Sequence, residues 1–486
     1  MNPESIIEEN AAMAFWDVLD QYGARTALIS QKGRAVSYNE MLQLADQIGQ
    51  AVGTRCLVFS MCRNCMDSVA GYIGFLRHHI VPVMVAEQIA PELLTNLLEA
   101  YHPSYFYLPI ECTALVPCGT AVWSGEDYTL LQLDYEQDYK LADELALLLT
   151  TSGSTGSPKL VRQSVRNIEV NTRSIVEYLD ITENDRAITT LPMSYTYGLS
   201  IIQTHLAQGA AVILTDATLM DKCFWRLVRE QEATTFGGVP YIYEMLKKLR
   251  FAQMNLPSLR YLTQAGGKLS KELAEEFSEI CMQKGIRLIV MYGQTEATAR
   301  MAYLPWEYAQ NKAGSMGIAI PGGAFQLVDT DGNVIAEPEI VGELVYTGEN
   351  VTLGYAQDRF DLVKSDENHG VLYTGDMAKR DVDGFYYIVG RKKRFLKLFG
   401  TRINLDEVES LLRQQDVECA CTGVDDHMDI YITNAGQIEH VKNCIKKYTS
   451  INYSGFQVHT IDAIPRNESG KVAYTQLRSG DQHGTD

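Results

Sequence analysis

Short apolar runs alternate with amphipathic stretches along most of this chain, and this alternation limits the folds available to it. RCLVFS and IVPVMV flank one helix-like stretch, and AAVILT precedes another. A further stretch, KELAEEFSEICMQKG, places Leu273, Phe277 and Ile280 on one face and leads into IRLIVMYG. Parallel strands that are buried on both faces have such continuous apolar runs, and amphipathic helices connect them. The pattern therefore predicts an α/β fold with buried parallel strands.

Two later segments differ from this pattern. Between residues 310 and 390, Gly-rich and charged stretches such as PGGAF and DVDGF indicate short strands and turns, typical of a β subdomain. From about residue 391, a basic run, RKKRFLKLFGTR, is followed by two helix-like and three strand-like stretches. This segment of about ninety residues has the size of a small α+β domain. The basic run alone fits either a solvated hinge face or a surface that meets phosphates.

Length and charge narrow the class of protein. With 486 residues, the chain is expected to form two or more domains. Its 42 basic and 61 acidic residues give a formal net charge of -19, which argues against general binding to nucleic acid or anionic membranes. No apolar run approaches the length of a membrane span, and the ten cysteines are scattered. The N-terminus, MNPESIIEEN, has no signal-peptide pattern, so we expect a cytoplasmic protein.

A loop rich in serine, threonine and glycine, TTSGSTGSPK, occupies residues 150–159. It is not a Walker A motif, because Gly153 and Gly156 are only three residues apart and Leu160 stands where Ser or Thr is required. Its glycines, hydroxyls and lysine have the chemistry to surround phosphates. From these residues alone, a phosphate-binding loop and a flexible linker are equally good interpretations. A helix is predicted after the loop, with Ser164 as its N-cap.

Five motifs are spaced along the chain, and this loop belongs to the first of them. The motifs are TSGSTGSPK (151–159), MYGQTEAT (291–298), GELVYTGENVTLGY (342–355), YTGDMAKRDVDGFYYIVGRKKRFLKLFGTRINLDEVE (373–409) and PRNESGK (465–471). They resemble, in the same order, the motifs of the adenylate-forming enzymes, which include acyl-CoA synthetases, nonribosomal adenylation domains and luciferases. The resemblance covers about residues 145–475, and five motifs in one order argue strongly against chance agreement.

The resemblance implies a fold and a domain boundary. Members have a large N-terminal domain, built of α/β subdomains and a β subdomain, followed by a small mobile α+β domain. In this chain the N-terminal adenylation domain, with the ATP and acid sites, would span residues 1–392. The C-terminal domain, with the catalytic lysine, would span residues 393–486, and Lys393 would be the hinge.

The resemblance also implies the reaction. The family joins a carboxylic acid to the α-phosphate of ATP and expels pyrophosphate. It then passes the acyl group to a pantetheine thiol, either of CoA or of an acyl or peptidyl carrier protein. ATP, Mg²⁺ and CoA or phosphopantetheine are therefore the expected cofactors. Such catalysis depends on alignment and on stabilising phosphate charge. The implied activity is that of an AMP-forming acid–thiol ligase.

Residue by residue, the resemblance assigns roles in catalysis and nucleotide binding. The predicted catalytic residues are Lys159, Thr295, Glu296 and Lys471, and Glu296 is also the predicted metal ligand. The predicted ATP-binding residues are Thr151, Ser152, Gly153, Ser154, Thr155, Gly156, Gly266, Gly267, Tyr292, Asp376 and Arg391. Gly400 would line the narrow passage through which the thiol enters. Without the resemblance, Glu296 and Lys471 would be read as ordinary loop and tail side chains.

The acid and the thiol acceptor are less well defined. The predicted acid pocket draws on Tyr195, Tyr197, Gly198, Gly238, Val239 and Gln264. Members that activate amino acids carry an Asp for the α-ammonium group, and its absence from the YTYG segment disfavours an α-amino acid. Leu160 and Phe399 depart from the family pattern, in which these positions are usually Gly and a polar residue. The alternatives are a stand-alone amino-acid adenylation enzyme that loads a carrier protein, a non-catalytic nucleotide- or acyl-binding relative, and a luciferase-type oxygenase. CoA and a carrier protein are equal candidates as acceptor.

Overall fold

The computed structural model describes residues 13–116, 119–150, 159–398, 401–424, 426–449, 453–466 and 472–478. These residues form two units. The first comprises residues 13–150, 159–324 and 347–372, and the second comprises residues 325–346 and the described residues from 373 onward. The second unit therefore contains much of the predicted β subdomain together with the predicted C-terminal domain. The boundary between residues 392 and 393 stays a prediction.

Strands and helices alternate along the first unit, as the apolar runs predict. Up to residue 150 the elements are β1 Thr26–Ile29, β2 Ala35–Ser37, α1 Tyr38–Val52, β3 Leu57–Cys62, α2 Met66–Arg77, β4 Val81–Ala86, α3 Pro91–Tyr101, β5 Tyr105–Pro109, β6 Thr120–Ser124, β7 Tyr128–Gln132 and β8 Leu145–Thr150. A capping box starts α1, because Ser37 Oγ accepts a hydrogen bond from Glu40 N–H while the Glu40 carboxylate accepts one from Ser37 N–H.

The Ser/Thr/Gly-rich loop is followed by a strand that the sequence pattern does not predict. From residue 160 to residue 356 the elements are β9 Leu160–Ser164, α4 Val165–Leu179, β10 Arg186–Ile188, α5 Thr196–Ala207, β11 Ala211–Ile213, α6 Lys222–Glu230, β12 Thr235–Gly238, α7 Pro240–Lys248, β13 Tyr261–Gln264, α8 Lys271–Lys284, β14 Arg287–Tyr292, β15 Ala302–Tyr303, β16 Ile318–Ala319, β17 Ala324–Val328, β18 Gly342–Thr347 and β19 Gly354–Ala356. β8 and β9 pair antiparallel on either side of the loop. The predicted helix is α4, and its N-cap Ser164 accepts a hydrogen bond from Asn167 N–H at 3.0 Å.

Two large sheets organise the described part of the first unit. One has the strand order β16-β15-β14-β13-β12-β10-β11-β1-β2, and the other has the order β19-β9-β8-β4-β3-β5-β7-β6. In each sheet the central strands pair in parallel and antiparallel strands lie at the edges. Every residue of β3 and β12 is buried, as expected for parallel strands that are covered on both faces. The predicted α/β fold with buried parallel strands is confirmed.

The second unit contains smaller sheets. Its remaining elements are β20 Val371–Arg380, β21 Tyr386–Arg391, β22 Phe395–Leu398, β23 Thr401–Asn404, α9 Leu405–Arg413, β24 Cys419–Val424, β25 His427–Ile432, α10 Ile438–Thr449, β26 Phe456–Thr460 and α11 Tyr474–Arg478. The sheet β17-β18-β20-β21 is the predicted β subdomain, and β24-β25-β26 with α9 and α10 is the predicted α+β segment. Across the described residues, no helix combines the length and the apolar character needed to span a bilayer. The cytoplasmic location stays a prediction.

Candidate active site

Three neighbouring strands bring the MYGQTEAT motif and two other segments with predicted site residues to one edge of the nine-stranded sheet. β12, β13 and β14 are parallel, with Gly238 opposite Gln264 and Gln264 opposite Val290. The carboxyl ends of parallel strands meet at one edge, where ligands bind in open α/β sheets. The loops that follow these strands therefore lie side by side, and they carry predicted residues for both the acid and the nucleotide.

Glycines at this edge allow close contacts with the predicted pocket tyrosines. Gly266 has a φ of +81°, and a Cβ there would lie 2.7 Å from the Tyr195 hydroxyl oxygen and 2.9 Å from Val239 Cγ1. A Cβ on Gly237 would lie 2.7 Å from the hydroxyl oxygen of Tyr197. The structure therefore brings the predicted residues Tyr195, Val239 and Gly266 together, and a larger side chain at Gly266 would occupy the space between them.

Other predicted glycines allow close contacts with neighbouring chain segments rather than with the tyrosines. A Cβ on Gly198 would lie 2.3 Å from the carbonyl oxygen of Pro192, so this glycine lets α5 pack against the preceding loop. A Cβ on Gly238 would lie 2.6 Å from Ile242 Cγ2, at the start of α7, and one on Gly267 would lie 3.1 Å from Pro240 Cγ. These glycines shape the walls of the site.

The two predicted pocket tyrosines are neutral hydrogen-bonding groups. Their rings are 6.4 Å apart at an interplanar angle of 71°. Burial raises the pKa of both Tyr195 and Tyr197 to about 12, although the positive charge of Arg300 opposes the shift. The Tyr197 hydroxyl lies 2.9 Å from Thr263 Oγ1. Gln264 is fully buried and donates from Nε2 to the carbonyl oxygen of Gly267 at 2.9 Å, which fixes the loop after β13.

Tyr292 ends β14, and the residues after it form a tight turn that carries Thr295 and Glu296; all three residues are half-buried. Thr298 has φ 65° and ψ −64°, and Ala299 N–H donates to the carbonyl oxygen of Ala297 at 2.8 Å. This is a γ-turn, a rare and strained conformation for a β-branched residue. Strain of this kind persists only where the surroundings hold it.

Neighbouring polar side chains hold the strained turn. The Thr298 hydroxyl donates to the carbonyl oxygen of Asn350 at 2.7 Å, and Gln163 Nε2 donates to the carbonyl oxygen of Thr298 at 3.3 Å. Asn350 Nδ2 donates in turn to the carbonyl oxygens of Ala297 and Arg300, at 3.0 and 3.1 Å. The turn that carries the predicted catalytic residues is therefore fixed from both sides.

Gly293 is the position in this turn that tolerates substitution least. A Cβ there would lie 1.9 Å from the carbonyl oxygen of Ala299. We expect Gly293→Ala to lower the free energy of unfolding by about 3 kcal/mol or more, because backbone must move. Gly285→Ala is the control in the same unit, since a Cβ there meets no atom within 4 Å and the substitution should cost about 1 kcal/mol from its positive φ alone. Urea unfolding measures both, and equal losses would contradict this account.

Lys159 and Glu296, two predicted catalytic residues, contact the same tyrosine. Tyr355 on β19 lies near Lys159 because β19 pairs antiparallel with β9, with Tyr355 opposite Val161. The Lys159 Nζ atom is 3.2 Å from the centroid of the Tyr355 ring, a cation–π contact. The Tyr355 hydroxyl donates a hydrogen bond to Glu296 Oε1 at 2.8 Å. Burial and the nearby Glu296 raise the pKa of Tyr355, so its hydroxyl stays protonated and keeps donating at neutral pH.

The surroundings of Glu296 suit a magnesium ion. Its backbone carbonyl accepts hydrogen bonds from the N–H and the Oγ1 of Thr352, both at 3.0 Å, which fixes the residue in place. Oε1 faces Tyr355, and none of the described residues donates a hydrogen bond to Oε2. Mg²⁺ is commonly bound by one or two carboxylates together with phosphate oxygens. A fixed carboxylate whose Oε2 accepts no hydrogen bond from the described residues fits that arrangement.

We expect Tyr355→Phe to lower kcat/KM for adenylation about 3- to 10-fold, because it removes the hydrogen bond to Glu296 but keeps the ring next to Lys159. Tyr355→Ala removes both contacts and should cost about 30- to 100-fold. Pyrophosphate release at varied Mg²⁺ measures both variants. Tyr105→Phe on β5 is a matched control with no expected effect. Identical losses for the Phe and Ala variants would show that the ring has no separate role.

The two predicted ribose-binding residues pair with each other in the second unit. Asp376 on β20 and Arg391 on β21 are register partners, and Arg391 Nε lies 2.7 Å from Asp376 Oδ1. Asp376 is buried and Arg391 is exposed. A carboxylate beside a guanidinium group presents acceptors and donors together, which suits a ribose diol.

Much of the basic run that follows is paired within the second unit. Lys392 Nζ lies 2.6 Å from Glu343 Oε2, and Arg394 Nη2 lies 2.6 Å from Glu409 Oε1. Lys393, the predicted hinge, is exposed between them. These pairs favour a role for the run in packing of the unit over a surface that meets phosphates.

Eight predicted site residues lie outside the described residues, and their roles stay predictions. They are Thr151, Ser152, Gly153, Ser154, Thr155, Gly156, Gly400 and Lys471.

Two residues that the sequence reasoning did not assign stand out in the site. Tyr355 is the last residue of the GELVYTGENVTLGY motif, and its position at the end of that motif was the available signal. Arg300 follows MYGQTEAT by two positions. It is a charged residue among small and apolar ones (ATARMAY), and this contrast is the sequence feature that could have indicated it. Neither signal indicates which residues Tyr355 and Arg300 contact, since these contacts join distant parts of the chain.

The fold is similar to that of a solved coenzyme A synthetase. The structure of o-succinylbenzoate coenzyme A synthetase from Bacillus subtilis, in complex with ATP and magnesium ion, matches with a TM-score of 0.76 and 23% sequence identity. The match covers 96% of this chain and 99% of that chain. This likeness shows the fold.

Sequence similarity identifies the family. The 2-succinylbenzoate–CoA ligase of Bacillus subtilis (strain 168) is 30% identical over 354 residues, 70% of this chain and 70% of that protein. The oxalate–CoA ligase of Arabidopsis thaliana is 28% identical over 377 residues, 73% of this chain and 72% of that protein. Fold, motifs and relatives together define an AMP-forming acid–thiol ligase, which confirms the predicted enzyme class. The chain belongs to the AMP-binding enzyme family, which it matches over residues 15–356.

Proposed function

We propose that this enzyme converts a carboxylic acid, ATP and CoA into an acyl-CoA thioester, AMP and pyrophosphate. In the first step a carboxylate oxygen attacks the α-phosphorus of ATP, and the bond to pyrophosphate breaks. In the second step the thiol of CoA loses its proton, attacks the acyl carbonyl and displaces AMP. The observation that carries the proposal is the contact of both Lys159 and Glu296 with Tyr355.

The nucleotide would lie along the loops at the sheet edge. Residues 151–156 and Lys159 would hold the β- and γ-phosphates, and Thr295 would contact the α-phosphate. Glu296 would hold Mg²⁺, which when bound neutralises phosphate charge. Tyr292 would stack on the adenine, with Gly266 and Gly267 allowing its close approach, while Asp376 and Arg391 would bind the ribose. In the family to which this chain belongs, such residues act by alignment and charge stabilisation, which is the chemistry that phosphoryl transfer requires.

The acid would lie between the tyrosines and the glycine-containing strand ends. Tyr195, Val239 and Gly266 converge there, and Tyr197, Gly238 and Gln264 complete the proposed wall together with Gly198. Neutral tyrosine hydroxyls and small residues leave room for an organic acid and offer it hydrogen bonds. The loops after β12 and β13, which carry Val239 and Gly266, follow strands that neighbour β14, so the acid would lie on the side of Thr295, as attack on the α-phosphorus requires.

The two steps would use different parts of the C-terminal segment. Lys471 would stabilise charge on the carboxylate and the α-phosphate during adenylation. Rotation about Lys393 would then remove Lys471 and present Gly400 at the thiol passage. This division predicts that one residue can be essential for the first step and dispensable for the second.

CoA is the acceptor that we propose. The curated relatives described above are CoA ligases, which supports free CoA. Docking of an acidic carrier protein would be favoured by unpaired positive charge. In the basic run, however, Arg391, Lys392 and Arg394 each form an ion pair. The run therefore gives little support to docking of a carrier protein, and the proposal of CoA rests on the relatives.

The test is hydroxylamine-trapped pyrophosphate release across a panel of aryl, short-chain, long-chain and amino acids. Related enzymes act on acids as different as a medium-chain fatty acid and indoleacetate, so the panel must be broad. We expect acid-dependent release with at least one non-amino acid, and a thioester when CoA is added. Turnover with a holo-carrier protein but not with CoA would overturn the acceptor assignment. ATP binding without release for any acid would favour the non-catalytic alternative.

A further inference from the structure

Arg300 is a buried cation that no carboxylate of the described residues neutralises. It is 2% exposed. Its Nη1 donates to the Tyr178 hydroxyl at 3.3 Å and lies 3.0 Å from Met291 Sδ, while Nη2 donates to Ser200 Oγ at 3.0 Å. Its buried Nε has no hydrogen-bond partner among the described residues. Because arginine stays protonated in proteins, a full positive charge is buried among neutral partners.

The other fully buried arginine of this unit shows what a satisfied guanidinium looks like here. Arg162 donates from Nη2 to Glu367 Oε2 at 2.5 Å and to the carbonyl oxygen of Leu353 at 2.7 Å. Its Nε donates to the carbonyl oxygen of Tyr355 at 3.2 Å, and its Nη1 donates to that of Lys364 at 2.5 Å. Every nitrogen of Arg162 therefore has an oxygen acceptor, and one acceptor is a carboxylate. Arg300 differs in both respects.

Arg300 lies against the proposed acid pocket. Its guanidinium carbon is 4.7 Å from the centroid of the Tyr197 ring, and its charge acts on both Tyr197 and Tyr195. Its partner Ser200 is on α5, the helix that carries Tyr197 and begins next to Tyr195. Its backbone carbonyl accepts a hydrogen bond from Asn171 Nδ2 at 2.8 Å, so the residue is anchored at its backbone.

We propose that Arg300 binds a second carboxylate of the acid substrate, so that the enzyme activates one carboxylate of a dicarboxylic acid. An unpaired buried charge is costly, and an anion from the substrate would supply the missing partner. Guanidinium groups bind carboxylates through charge-assisted hydrogen bonds, and Nε–H is the donor to which the described residues offer no acceptor. The inference rests on the proposed function and specifies its substrate class.

A purely structural role is the alternative that the experiment must separate. In that role, Arg300 would only hold Tyr197, Tyr178 and Ser200 in place through the contacts described above. Its replacement would then impair all acids alike. A role in binding a second carboxylate predicts a loss confined to acids that carry one.

The first measurement uses the wild-type enzyme, so it does not depend on a variant that folds. Symmetric diacids from malonate to suberate, together with phthalate, isophthalate and terephthalate, are each compared with their monoamides by pyrophosphate release. We expect the best diacid to exceed its monoamide in kcat/KM by about 30-fold or more, because the amide removes the charge but keeps the shape. Equal values for every pair would overturn the inference.

The second measurement uses Arg300→Met, which removes the charge at similar length, and Arg300→Lys, which keeps it. For the best diacid, Arg300→Met should lower kcat/KM about 30- to 100-fold, mainly through KM, and leave the monoamide within about threefold. Arg300→Lys should retain part of the preference for the diacid. Equal losses on diacid and monoamide would show a structural role and overturn the inference.

Failure of the inference and failure of the proposed function give different results. Turnover of monocarboxylic acids or monoamides, without preference for diacids, would overturn only the role of Arg300. Absence of pyrophosphate release with every acid would contradict the proposed function itself, and the inference with it.

Discussion

Replacing Lys471 with alanine is expected to lower the rate of adenylate formation by about two to three orders of magnitude. In the proposed mechanism, its ammonium group stabilises negative charge that develops as the carboxylate attacks the α-phosphorus, and alanine removes that charge. Thioester formation from a supplied acyl-adenylate should stay within about threefold of wild type, since Lys471 would have left the site by then. Single-turnover assays of the two half-reactions measure the two rates separately.

The control for this variant is another lysine of the C-terminal segment. Among the described residues, Lys442 forms a surface pair with Glu439 at 2.9 Å, and Lys442→Ala should leave both half-reactions unchanged. Equal loss of both half-reactions in Lys471→Ala would contradict the assigned role. It would instead indicate that the substitution disturbs the segment as a whole.

Glu296→Gln is the second change with a large expected effect. The glutamine keeps the size of the side chain, and its amide oxygen can still accept the hydrogen bond from Tyr355. It removes the negative charge that would bind Mg²⁺, so we expect kcat/KM for adenylation to fall about 10²- to 10³-fold. The Mg²⁺ concentration for half-maximal rate should rise at least tenfold. Rates measured from micromolar to millimolar Mg²⁺ test both effects.

Glu349→Gln is the matched control for the metal ligand. Its side chain is 64% exposed and pairs with Arg166 at 2.7 Å, so its loss should change neither the rate nor the Mg²⁺ dependence. A Glu296→Gln enzyme with an unchanged Mg²⁺ requirement would show that another group binds the metal.

Much of the fold could be predicted because its signals are local. Buried parallel strands have uninterrupted apolar runs, and the predicted helix does begin directly after Ser164, whose side-chain oxygen caps its first turn. β9 could not be predicted in the same way. Residues 160–164 contain the polar Arg162 and Gln163, and they form a strand because β8 and β19 pair with them on both sides. Only the assembled sheet supplies those partners.

The candidate site shows the same difference between features with local sequence signals and features that depend on long-range contacts. Motif spacing indicated Lys159 and Glu296, but not that both contact Tyr355, because this contact depends on the pairing of β9 with β19. The strained turn at Thr298 is another case. A threonine has no local preference for this conformation, and hydrogen bonds with Gln163 and Asn350 impose it. The sequence identifies chemical groups, whereas long-range pairing decides which of them meet.

The central claim is that this enzyme forms an acyl-adenylate, and exchange of labelled pyrophosphate into ATP in the absence of any thiol tests it most directly. Exchange reports reversible cleavage at the α-phosphate before an acceptor is present. We predict exchange that requires both Mg²⁺ and a carboxylic acid, with AMP and a thioester formed in equal amounts once CoA is added. No exchange with any acid, or ADP and phosphate as the products of an acid-dependent reaction, would contradict the claim.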